Sequence, residues 1–414
     1  MAKTLFRDAR VFDGWSAEVA EGRDVLVEGG VIREISASPL AATGEVDVID
    51  CGGRMLIPGL IDAHVHVYAA SVNLMKVVRW PGTYIAHFAA RFLEASLDRG
   101  FTTVRDMGGA DIGLASALRD GLLTGPRVIH GGRVISQTGG HGDMRPGDSE
   151  LSDFDSCGCA CRADSFAVVA DGVDAVRKAV REELRRGASH IKIMGSGGVA
   201  SPTDPLDKCQ YSDAEISAAV DEAVRMGKYV AAHCHPTEAV RRCVALGVRS
   251  IEHATLIDAP TAAFVAEKGA YAVPTMATIF ALLDEGAALG LPPASVEKLI
   301  RVGGHALESL DIMRKAGVKM GLGTDLLGAL HVRQCSEFEL RARVLPSLDI
   351  LRSACAINAE LVEAQDSLGC VREGALADLL VVDGDPTQDV RVLTDPVKNL
   401  AVIMSQGRLH KRTI

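Results

Sequence analysis

A chain of 414 residues is longer than one hydrophobic core usually serves, so a large domain with a smaller companion is the natural division. Hydrophobic residues at 48% and charged residues at 24% describe an ordinary globular protein, and a net charge of −10 excludes nucleic acid and anionic membrane as principal partners, because both select a basic face. A small molecule is the expected partner.

The opening segment MAKTLFRDARVFDGW carries Arg7, Asp8 and Arg10 where a secretory signal needs an unbroken apolar run, which predicts a cytoplasmic protein. Residues 1–57 hold β-rich pieces such as DVLVEGGVIREI between Gly and Asp turns, and residues 363–414 hold similar ones, ALADLLVVDGD and LAVIMSQGRL. Neither end suffices for a core by itself. The two are expected to pair into a small β-sandwich domain, joined around Pro58 and Gly59 to a larger domain over residues 58–362.

Within the larger domain a short apolar run followed by a helical stretch recurs. The runs are LIDAHVHV, FTTVRDMGG, RVIHGGRVIS, HIKIMGSGG, YVAAHCH, SIEHAT, AYAVPTMAT and KMGLGTD, eight in all. The helix before YVAAHCH opens on Ser212 and Glu215 as a capping box and stops at Gly227. Such alternation implies parallel strands with right-handed crossovers, and eight units predict an α/β fold, a closed (β/α)8 TIM-type barrel, with an open doubly wound sheet as the alternative. The longest uncharged apolar segment, Ala270 to Leu283, is too short for a membrane span and contains Pro274. Ten cysteines, scattered apart from CGCAC at Cys157, Cys159 and Cys161, read as reduced residues, and that cluster lacks the paired Cys-x-x-Cys halves of a structural zinc site.

A barrel of this type places its chemistry at the C-terminal ends of the strands. His64, His66, Lys192, His233, His253 and Asp325 fall there. His64 and His66, one residue apart, share a face of their strand and can grip one ion. Neutral imidazole with carboxylate favours zinc or a similar first-row metal. Lys192 lies between Ile191 and Ile193, where burying an unpaired ammonium is costly. A salt bridge would remove that cost, and Asp106, Glu252 and Asp325 are the strand-borne acids in reach.

PGLIDAHVHV, HIKIMGSGG, AAHCH, IEHA and GLGTD, in this order and over essentially the whole chain, resemble the metal-binding motifs of the amidohydrolase superfamily, and GALADLLVVDGDP resembles its small β domain. The resemblance implies that Lys192 is carboxylated to N6-carboxylysine and bridges two divalent metal ions, expected to be Zn2+. It implies that His64, His66 and Asp325 hold the more buried ion and His233 and His253 the other. A hydroxide between the ions would be the nucleophile and Asp325 the group that passes its proton to the leaving nitrogen, so Asp325 and His253 count as catalytic. The physics agrees: carboxylation needs an unprotonated amine, and desolvation beside cations lowers the lysine pKa.

GFTTVRDMGGA, SQTGGHGD, CGCAC, IKIMGSGGVASPTDP and GVKMGLGTDLLG further resemble a branch of metal-dependent dipeptidases, related to imidazolonepropionases, that release an amino acid with a free carboxylate. GGVASPTDP sits with the prolidases of that branch, which implies cleavage of Xaa-Pro dipeptides. The alternatives are an Xaa-Arg or Xaa-Lys dipeptidase or carboxypeptidase, an N-acyl amino acid amidohydrolase of the ochratoxin type, a cyclic-amide hydrolase and, outside enzymes, a catalytically dead scaffold. His141 in GGHGD is the candidate for polarising the scissile carbonyl or binding substrate. The amides of Gly195 to Val199, with Gly197 and Val199 foremost, can form an anion nest. His235 stands where prolidase-like relatives tend to carry a tyrosine that holds the substrate carboxylate, and Arg145 and Trp80 are further candidates for the pocket. Related barrels often assemble, so a homo-oligomer is expected.

Overall fold

The strand Met55–Pro58 is apolar and buried along its whole length, and such a strand needs a partner on each edge. It finds Lys3–Val11, parallel, on one side and Leu379–Val382, antiparallel, on the other, so a single eight-stranded sheet draws on both chain ends. Phe6, Val25, Ile49, Val381 and Met404 pack there in one core, while Met55, Ile57, Leu380, Val382 and Ile403 of the same sheet join the larger core of the chain. The computed structural model describes residues 3–42, 44–145, 166–201 and 203–414, and Cys157, Cys159 and Cys161 lie outside them. Among the described residues the cysteines are free, and no helix is long and apolar enough to cross a membrane.

Gly59 alone separates that sheet from the strand Leu60–Val65, and a β-carbon there would collide with the Thr102 side chain. Leu60–Val65, Phe101–Asp106 and Arg127–His130 form a three-stranded parallel sheet. Val134–Ser136, Ile191–Met194, Val230–Pro236, Ser250–Leu256, Tyr271–Val273 and Lys319–Met320 form a second parallel sheet, with Ala167–Val169 as its seventh strand. The third apolar run is therefore two strands, broken at Gly131 and Gly132, where Gly132 takes φ +70°. The last run keeps only two residues in strand, yet its continuation bonds back to the first: Ala63 N donates to Leu322 O and Asp325 N to His64 O, both at 2.8 Å. The result is an α/β fold of parallel sheets with intervening helices. One of these, Asp213–Arg225, has the expected reciprocal Ser212–Glu215 capping box, and Gly227 follows it at φ +64°.

Register aims the polar residues. Lys192 pairs with Ala231 and Met194 with His233, so Lys192, Ala231, His233 and His235 share one face. His233 pairs in turn with Glu252, which joins that face, and Cys234 with His253. Alternation would send His253 outward with Cys234, whose Sγ lies 3.7 Å from Cys243 Sγ on the neighbouring helix. Instead His253 adopts φ +72° and Ala254 φ +51°, and the His253 ring turns in against His64, His233 and His235, at centroid distances of 4.9, 4.6 and 5.1 Å.

Candidate metal centre

The site is built on a buried charge network. Arg105 and Glu252, both fully buried, form a two-pronged pair at 2.8 and 3.0 Å, and Ser250 Oγ donates to Glu252 Oε1 at 2.5 Å. The other Glu252 oxygen faces His64 Nδ1 at 2.7 Å. A carboxylate in this position takes the Nδ1 hydrogen and leaves the Nε2 lone pair pointing the opposite way. His64 Nε2 is buried without a hydrogen-bond partner. Burial, followed by the nearby Lys192, pushes the His64 pKa far down, so the ring is neutral and its lone pair is available.

Asp325 Oδ1 lies 3.5 Å from His64 Nε2 and 3.4 Å from His66 Nε2. His64, His253 and Asp325 each offer a ligand atom within 4.8 Å of the others, and one orphaned buried nitrogen beside neutral imidazoles and a carboxylate fits a divalent cation. Supports fix the remaining rings: His66 Nδ1 on Gly108 O at 3.0 Å, and His253 Nδ1 on Thr275 Oγ1 at 2.8 Å. Burial and then Lys192 bring His66 down to about 4, and burial with the neighbouring histidines brings His233 and His253 well below the usual range. Burial raises Asp325 to about 7 against the pull of Lys192, and a divalent cation beside it would reverse that direction. Asp325 itself sits at φ +53°, a strained conformation for an aspartate.

Lys192 is 2% exposed. Of the three acids in reach by sequence, Asp106 accepts from the amides of Val67, Gly108 and Ala110 at 2.7, 2.9 and 3.0 Å, and Glu252 serves Arg105 and His64. Among the described residues no carboxylate forms an ion pair with Lys192, and burial lowers its pKa, with Glu252 and Asp325 opposing from further away. A buried amine driven toward neutrality is a nucleophile.

The candidate substrate residues are distributed unevenly. His141 is buried, not a solvated loop residue: its ring stacks on His233 at 4.1 Å, and its Nδ1 lies 2.7 Å from Ser201 Oγ. His235 places Nδ1 2.6 Å from Thr255 Oγ1, and burial, then His141, lowers it to about 3, so it acts as a neutral hydrogen-bonding group and not as a cation. The anion nest is largely filled by the protein itself. Gly195 N and Ser196 N donate to His233 O, Gly197 N to Lys208 O and Gly198 N to Asp204 Oδ2, which leaves the Val199 amide as the one without a partner among the described residues. Arg145 grips Asp143 through two hydrogen bonds at 2.7 and 2.6 Å, and Trp80 packs edge-on against Tyr84.

Arg105, Asp204 and the pairing role of Glu252 escaped the sequence. The available signal was an arginine inside the strand FTTVRD, which requires a carboxylate from another strand.

Inward imidazoles at the ends of parallel strands, an acid among them and a carboxylate-backed His64 make a group that could hold a divalent metal ion. The Amidohydrolase family profile matches residues 55–409, and the chain belongs to that family, whose chemistry is the hydrolysis of amide bonds. It is 32% identical over 373 residues to ochratoxinase of Aspergillus niger, covering 86% of this chain and 76% of the relative. Among solved structures it is similar to an amidohydrolase at 46% identity and a TM-score of 0.97, and to a prolidase complexed with N-methylphosphonate-L-proline at 44% and 0.96, each over 100% of both chains.

Proposed function

We propose that this hydrolase cleaves the amide of dipeptides or N-acyl amino acids that end in a free carboxylate, with Xaa-Pro foremost, and that it does so with two divalent metal ions. The observation that carries the reading is the buried Lys192, without an ion pair among the described residues, facing the same centre as His64, His233, His253 and Asp325. Likeness to a prolidase over the full length of both chains supports the substrate class. The 32% identity to an ochratoxinase supports N-acyl amino acids as the second reading.

In this reading His64, His66 and Asp325 hold one ion, His233 and His253 the other, and carboxylated Lys192 both. When bound, the ions supply a water acidic enough to attack near neutral pH and polarise the scissile carbonyl. The Asp325 carboxylate holds the proton of the attacking water and delivers it to the leaving nitrogen. His141, its Nδ1 held by Ser201, presents Nε2 to the substrate carbonyl. The Val199 amide and the Nε2–H of neutral His235, whose Nδ1 accepts from Thr255, receive the substrate carboxylate. Gly197 contributes its carbonyl, 3.3 Å from His233 Nε2, in place of its amide, and Arg145 acts through Asp143 on the loop beside His141.

The architecture that goes with this reading is a closed (β/α)8 barrel over residues 58–362, supported by the bonds from Leu322 and Asp325 back to Ala63 and His64. Residues 1–57 and 363–414 form the small β domain, with its own core supporting a sandwich. Cytoplasmic location and self-assembly belong to the same proposal.

The purified protein is expected to contain about two equivalents of zinc or a related metal per chain. It is expected to hydrolyse Xaa-Pro in a panel that also contains Xaa-Arg, Xaa-Lys, N-acyl amino acids and cyclic amides. Activity on cyclic amides alone, or full activity after complete chelation, overturns the reading. A β-carbon on Gly198 would press into the His141 ring and within 2.6 Å of His233 Nε2. Gly198→Ala is therefore expected to lower kcat/KM by about 10²-fold, as misplacement by an ångström does, and to cost about 1–3 kcal/mol of stability by overpacking the buried rings. Kinetics beside thermal denaturation check this, and a variant as active as the parent would remove His141 from the mechanism.

A further inference from the structure

Gly198, Ser201 and Asp204 turn their carbonyl oxygens toward one point, and a side chain from a distant helix fills it. Lys298, on the helix Pro293–Ala316, donates from Nζ to Gly198 O at 3.0 Å, Ser201 O at 3.1 Å and Asp204 O at 2.6 Å, with Asp204 Oδ1 at 3.5 Å. Carbonyl oxygens arranged in this way replace the hydration shell of a small monovalent cation. Here the cation is carried on a tether.

The carboxylate of Asp204, 2% exposed, closes the inner side of this cage. It accepts from Gly198 N at 2.9 Å, from Gln210 Nε2 at 3.3 Å and from the Ser201 hydroxyl, and lies 3.4 Å from His141 Nδ1. Gln210 Oε1 accepts from His141 N at 3.0 Å, and Ser201 Oγ meets His141 Nδ1. A continuous set of contacts thus runs from Lys298 through Asp204 and Ser201 to the His141 ring.

We propose that Lys298 and Asp204 are positioning residues of the hydrolase: the tethered ammonium of Lys298 holds Gly198, Ser201 and Asp204 in one arrangement, and that arrangement sets the His141 ring and the Val199 amide for substrate. The inference rests on His141 and Val199 being the substrate contacts proposed for the enzyme. A clamp serving stability alone would have no reason to converge on the residue that holds His141 Nδ1. The arrangement also makes Lys298 replaceable in a specific way, because a vacated oxygen cage accepts a free cation that can donate hydrogen bonds.

The test uses the full-length, metal-replete protein with Xaa-Pro substrates. Lys298→Ala is expected to lower kcat/KM by about tenfold to a hundredfold, chiefly through KM, with unchanged metal content. Ammonium or methylammonium chloride at about 100 mM is expected to recover much of the loss, whereas tetramethylammonium, which has no N–H to donate, is expected to recover none. Ser201→Ala keeps the cage carbonyl but removes the link to His141, so it is expected to lower kcat with no response to ammonium. Hydrogen exchange at the Gly198 amide gives a readout independent of substrate: about tenfold faster in Lys298→Ala and slowed again by ammonium. Unchanged kinetics and exchange in Lys298→Ala, or losses that ammonium leaves untouched in both readouts, overturn the proposal. Parent protein inert on every carboxylate-bearing amide, with ammonium-sensitive Gly198 exchange, counts against the substrate class while supporting the cage.

Discussion

Lys192→Ala is expected to leave a folded protein that holds fewer than about one metal ion per chain and loses about 10³-fold or more in kcat/KM, since on the proposed reading both the bridge and the electrostatic stabilisation it would organise disappear. The sign of the charge at Lys192 decides the outcome. Lys192 has no ion pair among the described residues, and its surroundings push it toward the neutral amine. As an ammonium it would repel two divalent ions; as a carbamate it would bind one with each oxygen. Formate or acetate is therefore expected to restore part of the metal content and rate in the alanine variant, and methylammonium neither. Metal analysis and kinetics with each additive decide between them. An alanine variant with two ions and parental activity would sink the carboxylated bridge.

The second large effect lies beneath the candidate metal ligands. Glu252→Leu leaves the Arg105 guanidinium fully buried without its carboxylate, and breaking such a pair costs about 3–5 kcal/mol. Chemical denaturation measures that loss. Glu252→Gln keeps the shape and one acceptor but weakens the hold on His64 Nδ1–H, and is expected to reduce metal affinity by about 10–100-fold. Metal titration of that variant separates the two roles, because only the leucine variant should lose most of its stability. Equal stability of the leucine variant and the parent would mean that Arg105 finds another counter-charge.

Where the chain obeys strand alternation, the site could be read from the sequence. His64 with His66, and Lys192 with His233 and His235, reach the centre by parity and register alone. His253 breaks parity. It lies beside Glu252 on one strand, yet both face inward, because His253 accepts a left-handed backbone conformation that no pattern of residue types announces. Its position at the end of the sixth run was legible, but the turn of its ring toward the centre was not. The split of the third run at Gly131 and Gly132 was hidden for a related reason, since two glycines inside an apolar run read equally well as a bulge. Arg105 and Glu252 are 147 residues apart, and although each sits within a strand run, nothing in the sequence says that they pair with one another. Of the nest at Gly195 to Val199, four amides already donate within the protein, to His233 O, Lys208 O and Asp204 Oδ2, acceptors that lie outside the motif in sequence.

The glycines after Lys192 set a limit on what descendants of this enzyme can become. A β-carbon at Gly197 would run into the Pro205 carbonyl, and one at Gly198 would run into His141 and His233. This stretch of the pocket floor is main chain, and substitution alters only side chains. A lineage drifting toward a new substrate has to leave this main chain as it is and change the side chains around it, among them His235, proposed above to meet the substrate carboxylate.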